Sequence, residues 1–287
     1  MPRAAFAAWL EALRAPVEVE LDRLLPAAAA PPARLHEAMR YAVLGGGKRV
    51  RPALAVLAGE TWGAAREALL APAAALELIH GYSLVHDDLP ALDDDDLRRG
   101  QPSAHVRFGE DVAILAGDAL LAEAFRLALA YPAPDVARVL AEATLGMIGG
   151  QYLDVTTEGE LDGAGLAELH TLKTGRLIRA SVLAAAAVAG LDEVEREPWA
   201  AVGADIGLLF QIVDDVLDAT ATTEELGKTA GKDEAAGKVT YVSLHGIERA
   251  RELAGEVERR VAERLEAMPE DTSVLREIVG TIRTRHA

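Results

Sequence analysis

The chain has 287 residues, 51% of them hydrophobic, and is therefore long enough to bury a sizeable core. Its formal net charge of -17 argues against a general nucleic-acid binder or a protein of anionic membrane surfaces, because both need a basic surface. The sequence has no cysteine, which excludes disulfides and thiolate metal sites. No break in composition divides the chain, so we expect a single domain over residues 1–287.

Neither the first residues nor the alanine-rich stretch later in the chain predicts a membrane segment. The first residues do not resemble a signal peptide, because Glu11 interrupts them and no long apolar core follows. The alanine-rich stretch at 180–191 is too short to cross a bilayer. We therefore expect a cytoplasmic protein without a membrane span, which also agrees with the lack of cysteine.

Most of the sequence predicts helices. It is rich in alanine and leucine, has apolar residues at three- and four-residue spacing, and contains only 4% aromatic residues, which gives little support to strands. Helices are predicted at about 4–25, 34–45, 51–60, 64–90, 111–130, 134–155, 163–190, 196–218, 239–266 and 272–285. The predicted fold class is all-α, a bundle of about ten or more helices around a central cavity.

Between the second and third predicted helices lies the motif GGGKRVRP, residues 45–52. It places Lys48 and Arg51 where a glycine-rich turn leads into a helix. Such a turn brings cations and backbone amides toward an anion. A single turn of this kind is a weak signal, because a basic residue taken alone is more often a surface cation than a ligand.

The fourth predicted helix, 64–90, runs into six aspartates within the ten positions from Asp87 to Asp96. In a regular helix Asp93 would point about 120° away from Asp87. Pro90 breaks the helical backbone, however, so the following residues can bring Asp93 back toward Asp87.

A second acidic cluster, FQIVDDVLDAT, ends the predicted helix at 196–218. Asp214 and Asp218 are four residues apart and project to one side of that helix among apolar residues, where carboxylates need a partner. Two oxygen-only clusters facing one another across a bundle would suit magnesium, which leaves positions open for water and substrate phosphate.

Two simpler interpretations compete with a metal site. An isolated acidic run is more often a solvated surface. A calcium loop starting at Asp93 fails, because Arg98 stands where the sharp-turn glycine belongs and Ala104 where the bidentate glutamate belongs. The other motifs favour a site, since the chain also supplies basic residues in several separate places, at Arg98, Arg99, Lys173 and Lys228. Together the motifs indicate two polyanionic groups bound at once.

These motifs resemble those of the trans-prenyltransferases, the isoprenyl diphosphate synthase family. The resemblance rests on GGGKRVRP, ELIHGYSLVHDDLPALDDDDLRRGQPSAHVRFGE, LAGDALL, GGQYLD, KTGRLI, FQIVDDVLD and ELGKTAGKD, which follow the family's order over about residues 40–245. The four residues between Asp88 and Asp93 resemble the spacing in bacterial short-chain synthases, farnesyl diphosphate synthase most closely.

The resemblance implies a magnesium-dependent prenyltransferase. It would condense isopentenyl diphosphate with dimethylallyl or geranyl diphosphate and release diphosphate. Three magnesium ions are implied with substrate bound, held by Asp87, Asp93 and Asp214 and supported by Asp88, Asp215 and Asp218.

The resemblance also assigns the substrate contacts. The allylic diphosphate would meet Arg98, Lys173 and Lys228. Isopentenyl diphosphate would meet Lys48, Arg51, His80 and Arg99. Thr174 and Gln211 match the positions that place partial negative charge beside the carbocation, and the departed diphosphate would accept the final proton.

Product length is implied by the residues before the first acidic motif. Tyr82 and Ser83 stand five and four residues before Asp87. An aromatic residue in the fifth position generally stops growth at fifteen carbons, so farnesyl diphosphate is the expected product and geranylgeranyl diphosphate the alternative. An ideal helix supports this only in part, because Ser83 lies on the Asp87 side whereas Tyr82 is rotated by about 140°.

Two further classes compete with a synthase. A class I terpene cyclase shares the fold and the first acidic motif, but its second motif usually begins with Asn or Asp followed by Ser and Glu, where this chain has DDVLD. A non-catalytic regulatory subunit of a heteromeric synthase often lacks one acidic motif, and both are intact here. Family members are commonly homodimers, so we expect a homodimer.

Overall fold

The computed structural model describes residues 3–132, 134–157, 161–220 and 238–284. This part of the chain is almost entirely helical, as predicted for the all-α class. Its helices are α1 (Arg3–Leu24), α2 (Ala33–Leu44), α3 (Val50–Thr61), α4 (Arg66–Asp87), α5 (Ala104–Phe108), α6 (Glu110–Leu129), α7 (Asp135–Thr156), α8 (Gly163–His170), α9 (Arg176–Val188), α10 (Glu193–Asp218), α11 (Tyr241–His245), α12 (Ile247–Glu266) and α13 (Ser273–Thr284). The strands β1 (Leu97–Arg98) and β2 (Gln101–Pro102) form a short antiparallel hairpin.

Helix α4 lies at the centre of the bundle and packs against α1, α2, α3, α6 and α9. Leu76, Leu78 and Ile79 on it are completely buried, as expected for a helix that is apolar on all sides. Among the described helices, only α4 is long and apolar enough to cross a membrane, and most of that stretch is buried inside the bundle. Its burial leaves its C-terminal end facing the cavity described below.

Helix α10 begins at a capping box. The Asp192 carboxylate accepts a hydrogen bond from the Glu195 amide, and the Glu195 carboxylate accepts one from the Asp192 amide. Such caps stabilise a helix start by about 1 kcal/mol. The helix then runs unbroken for 26 residues and ends with the second acidic cluster.

A π-helical segment, Thr171–Gly175, lies between α8 and α9 and is wedged between α7 and α10. Glycines allow this close approach. A Cβ atom added to Gly150 of α7 would lie 2.2 Å from the Lys173 amide nitrogen, and one added to Gly207 of α10 would lie 2.7 Å from the Gly175 Cα atom. Two helices therefore hold Lys173 and Thr174 in place through backbone contact.

Several element boundaries differ from the sequence prediction. The predicted helix at 163–190 is α8, the π segment and α9, and the one at 239–266 is divided at Gly246, where φ is +79°. Helix α4 ends at Asp87 because Pro90 cannot continue it. The short helix α5 and the β1–β2 hairpin were not predicted, since elements of two to five residues carry too little periodicity.

Candidate active site

The first acidic motif forms a tight turn at the end of α4. The Asp93 amide donates a hydrogen bond to the Asp87 carbonyl oxygen at 2.9 Å, and the Asp95 amide donates to the Asp88 carbonyl oxygen at 3.1 Å. The backbone thus doubles back after Pro90, as the sequence indicates. Asp93, six positions after Asp87, comes to lie beside it and lines the same cavity.

The second acidic motif occupies the last turn of α10 and faces the first across this cavity. The cavity measures about 470 Å³, and its lining includes Asp87, Asp93 and Asp214; we call it the acidic cavity. Both motifs lie at helix C-termini, where the helix dipole adds partial negative charge. Two helix ends and two sets of carboxylates therefore direct negative potential into one space.

Two of the other predicted metal ligands, Asp88 and Asp215, are buried and bound by neighbouring protein groups, although Asp215 also lines the acidic cavity. Asp88 is buried and forms an ion pair with Arg98, whose Nε donates to Asp88 Oδ1 at 3.0 Å. Asp215 is also buried and accepts hydrogen bonds from Gln211 Nε2 at 2.7 Å and from the Tyr241 amide at 2.8 Å. These two carboxylates hold neighbouring groups in place. Asp218, buried at the end of α10, does not line the cavity.

The charge balance of the acidic cavity fits a divalent cation. Burial raises the pKa of Asp87 to about 6, Lys173 opposes this rise, and Asp93 adds to it. The ionised carboxylates are therefore short of positive charge, and all their donor atoms are oxygen, which suits magnesium or calcium. Among the residues that the structure describes, no three Asp, Glu or His side chains already converge as a closed metal-binding group.

Two lysines reach the acidic cavity and share one carboxylate. Lys173 Nζ donates to Asp154 Oδ2 at 2.7 Å, and Lys238 Nζ donates to Asp154 Oδ2 at 3.0 Å and to Asp93 Oδ1 at 3.1 Å. Burial would raise the pKa of Asp154, but both lysines lower it below its ordinary value. Sequence reasoning did not find the contact between Lys238 and Asp93, because 145 residues separate them.

Thr174 and Gln211 form a hydrogen-bonded pair between the π segment and α10. Thr174 Oγ1 donates to Gln211 Oε1 at 2.9 Å, and the Gln211 amide donates in turn to Asp215. Both side chains line the acidic cavity and the apolar cavity next to it. The hydrogen bonds thus fix their oxygens at the junction between the acidic cavity and the apolar cavity.

The apolar cavity measures about 500 Å³ and adjoins the acidic cavity. Asp87, Lys173 and Asp214 line both. The apolar cavity also contains Tyr82, Ser83, His86, Met147, Ile148 and Phe210. The Tyr82 side chain is buried, and its ring lies edge-on to that of His86, with 5.1 Å between ring centroids. The Ser83 hydroxyl donates to the His80 carbonyl oxygen.

The basic residues predicted for a second anion lie near the start of α3. Lys48 is exposed, whereas Arg51 and His80 line the apolar cavity. Burial and the nearby Arg51 and Arg99 guanidinium groups hold the pKa of His80 well below its usual value, so His80 is neutral at pH 7. Arg99 Nη1 donates to the Gly46 carbonyl oxygen.

Lys228, predicted to contact the allylic diphosphate, lies outside the described residues. Of the other predicted site residues, Lys48 and Arg99 lie at the turn before α3, Asp88 and Asp218 line neither cavity, and the rest line the acidic or the apolar cavity.

The structure is thus an all-α bundle in which two aspartate-rich helix ends face each other beside an apolar cavity. Comparison with known families then identifies the class of protein. The polyprenyl synthetase family matches residues 32–282, and the chain belongs to that family. It is therefore a prenyltransferase of isoprenoid biosynthesis.

Three relatives illustrate the similarity. The chain is 45% identical over 267 residues to a chloroplastic geranylgeranyl pyrophosphate synthase of Catharanthus roseus, covering 88% of this chain and 74% of the relative. A FPP/GFPP synthase from Zymomonas mobilis has 35% identity and a TM-score of 0.84, with 98% and 99% of the two chains covered. A polyprenyl synthase from Caulobacter crescentus, complexed with calcium and isoprenyl diphosphate, has 27% identity and a TM-score of 0.88, with coverage of 98% and 97%.

Proposed function

We propose that this prenyltransferase condenses isopentenyl diphosphate with allylic diphosphates and releases geranylgeranyl diphosphate as its main product. One observation carries the condensation: two acidic helix ends face each other in a cavity that adjoins an apolar one. The acidic cavity would therefore take the diphosphate group of an allylic substrate, and the apolar cavity its hydrocarbon tail. The choice of product is supported by the 45% identity to the geranylgeranyl pyrophosphate synthase of Catharanthus roseus.

Farnesyl diphosphate is the second candidate product, and Tyr82 favours it. The buried ring of Tyr82 forms part of the wall of the apolar cavity, five residues before Asp87. A rigid aromatic side chain there shortens the space open to a growing chain. The Zymomonas mobilis relative, a FPP/GFPP synthase, also makes the fifteen-carbon product a candidate.

The proposed cofactor is magnesium, with three ions present when substrate is bound. Asp87, Asp93 and Asp214 would hold the ions, because their side chains line one cavity with an excess of negative charge. When bound, divalent cations neutralise a diphosphate and stabilise it as a leaving group. The calcium and isoprenyl diphosphate in the Caulobacter crescentus relative support an oxygen-only cation site in this family.

The chain's own residues would divide the two substrates between them. Lys173 and Arg98 line the acidic cavity and would bind the allylic diphosphate, together with Lys228. Lys48, Arg51, His80 and Arg99 would bind isopentenyl diphosphate near the start of α3. The neutral His80 would act as a hydrogen-bond donor there. This division would bring the isopentenyl double bond beside the allylic carbon.

The junction of the two cavities would protect a carbocation. Departure of the diphosphate would leave a positive charge on the allylic carbon, which the oxygens of Thr174 and Gln211, lining both cavities, would stabilise. The isopentenyl double bond then forms the new carbon–carbon bond, and the proton lost from the isopentenyl unit goes to the departed diphosphate. The apolar lining would keep out water, which would otherwise capture the cation as an alcohol.

A homodimer in the cytoplasm remains our expectation for the assembly. Helices α6 and α7 pack together and carry exposed apolar side chains that line neither cavity, at Leu115 of α6 and Leu145 of α7. Exposed apolar residues grouped in this way are typical of a protein interface. Light scattering coupled to size-exclusion chromatography would test this expectation. A monomeric mass at micromolar concentration would contradict the homodimer.

One assay separates the candidate functions. The purified chain alone is incubated with magnesium, isopentenyl diphosphate and either dimethylallyl, geranyl or farnesyl diphosphate, and the products are analysed by chain length. A twenty-carbon diphosphate supports the proposal, and a product that stops at fifteen carbons supports the second candidate. A cyclic hydrocarbon would indicate a terpene cyclase. No product from the chain alone would indicate a regulatory subunit.

A further inference from the structure

The motif GGGKRVRP contains a basic residue that turns away from both cavities. Arg49 has a left-handed backbone conformation, with φ at +49°, and its side chain is only 1% exposed. All three guanidinium nitrogens are engaged in hydrogen bonds within the protein. Arg49 therefore has no nitrogen available for a substrate.

The partners of Arg49 come from three different helices. Nε donates to Glu18 Oε1 of α1 at 2.7 Å, and Nη1 donates to Glu77 Oε1 of α4 at 2.5 Å. Nη2 donates to the Val43 carbonyl oxygen of α2 at 2.7 Å. Arg49 thereby ties the start of α3 to α1, α2 and α4. The turn that carries Lys48 is held between these helices.

Glu77 also connects this tie to Arg99. Its Oε1 atom lies 3.8 Å from Arg99 Nη2, and its side chain is only 4% exposed. Arg99 lies against the glycine turn: it donates to the Gly46 carbonyl oxygen, and a Cβ atom on Gly47 would be 2.9 Å from its guanidinium carbon. Glu18, Arg49, Glu77 and Arg99 thus form one chain of alternating charge, which we call the buried charge chain.

We propose that Glu77 is a positioning residue of the isopentenyl diphosphate subsite. The proposal rests on the proposed function, because it takes Lys48, Arg51 and Arg99 as the residues that bind this diphosphate. Glu77 lines neither the acidic nor the apolar cavity and touches no reacting atom. It acts by holding Arg49, which sets the turn before α3, and by holding Arg99 against that turn. Neutralising Glu77 leaves two guanidinium groups side by side without their shared carboxylate.

The substitution Glu77→Gln tests this role. Loss of a hydrogen bond between charged groups predicts a KM for isopentenyl diphosphate at least about tenfold higher. The KM for geranyl diphosphate and kcat stay within about twofold, because the acidic cavity does not depend on the buried charge chain. The matched control is Asp205→Asn, which removes a carboxylate shared by Arg260 and Arg264 and lines no cavity described above. The control keeps both KM values.

A second variant serves if Glu77→Gln does not fold. Glu18→Gln removes the other carboxylate of Arg49, at a side chain that is 29% exposed, and raises the KM for isopentenyl diphosphate in the same selective way by a smaller factor. Unchanged KM values in a folded, active Glu77→Gln or Glu18→Gln protein overturn the proposal. So does an equal change in both KM values and kcat. Failure of the wild-type chain to make any prenyl product instead overturns the proposed function itself.

Discussion

We expect Asp87 to support catalysis and to destabilise the fold. Burial, and to a smaller extent the nearby Asp93, raises the pKa of its carboxyl group to about 6. Such a group favours cation binding but destabilises the folded chain when no cation is present. The residue therefore gives two predictions that point in different directions.

The first prediction concerns turnover. Asp87→Asn and Asp214→Asn each remove a charged cavity oxygen and should lower kcat by at least about a hundredfold, the size of effect seen when a key electrostatic contact is lost. Circular dichroism should show that both variants remain helical. Near-normal turnover in either variant would reject its assignment to the metal site. Asp205→Asn, a carboxylate on the same helix as Asp214, is the control and should keep its activity.

The second prediction concerns stability against pH. Because the folded-state pKa of Asp87 lies above that of the unfolded chain, the folded state binds the proton more tightly, and the free energy of unfolding falls as the pH rises from about 4 to 6. Above that window, in the absence of metal, Asp87→Asn should be more stable than the wild type by a free energy of unfolding on the order of 2 kcal/mol. It should therefore unfold at a higher temperature. Thermal melts in EDTA at pH 4 and pH 7 measure this. An equal gap at both pH values would contradict the explanation.

Tyr82 gives a prediction about product length. Tyr82→Ala removes a buried ring from the wall of the apolar cavity and should lengthen the main product by at least one isoprene unit. Tyr82→Phe, which keeps the ring in the cavity wall, is the control and should leave the product distribution near that of the wild type. Product analysis by mass spectrometry decides. A Tyr82→Ala protein that stops at the wild-type length would show that another side chain limits the growing chain.

Among the elements, the π segment depends most on its neighbours. It carries Lys173 and Thr174, and helix α7 meets its backbone at Gly150. Segments of this type commonly occur at functional sites, because the bulge redirects side chains that a regular helix would place elsewhere. Its position is therefore set by tertiary packing more than by its own sequence.

Two adjacent glycines of α7 allow a matched test. Gly150→Ala would place a Cβ atom 2.2 Å from the Lys173 amide nitrogen, so we expect the π segment to shift. Turnover should fall by more than about tenfold, as for other small displacements of catalytic groups. Gly149→Ala, with no atom within 4 Å of its Cβ, should stay active and gain up to about 1 kcal/mol of helix stability. Equal activity of the two variants would contradict the role of this contact.

The sequence predicted the larger elements well and the site only in part. The three- and four-residue apolar spacing is present over every long helix, and Pro90 indicated the bend that joins Asp93 to Asp87. The inward turn of Arg49 was not predictable, because GGGKRVRP offers three similar cations and only burial distinguishes them. The contact between Lys238 and Asp93 depends on the packing of distant segments.

The whole molecule concentrates part of its negative charge at one place. The formal net charge is -17, and both acidic motifs end buried helices that meet at a single cavity. Binding of cations and diphosphate there should stabilise the entire fold, because a ligand that binds only the folded state shifts the folding equilibrium.

Thermal melts can measure this linkage. Magnesium together with inorganic pyrophosphate should raise the Tm of the wild-type chain. At a ligand concentration of a hundred times Kd, the free energy of unfolding should increase by about 2.7 kcal/mol. Asp214→Asn should lose most of this rise, whereas Asp205→Asn should keep it. A rise of equal size in all three proteins would indicate general ionic effects on the surface.

Helix α4 carries Tyr82 inside the bundle and Asp87 at its final turn, about 7.5 Å further along the helix axis. The residue that we propose to limit product length is thus separate from the carboxylate that we propose to bind metal, although both lie on helix α4. If both roles are right, a substitution at position 82 would alter the length of the product and leave the chemistry at the end of the helix intact.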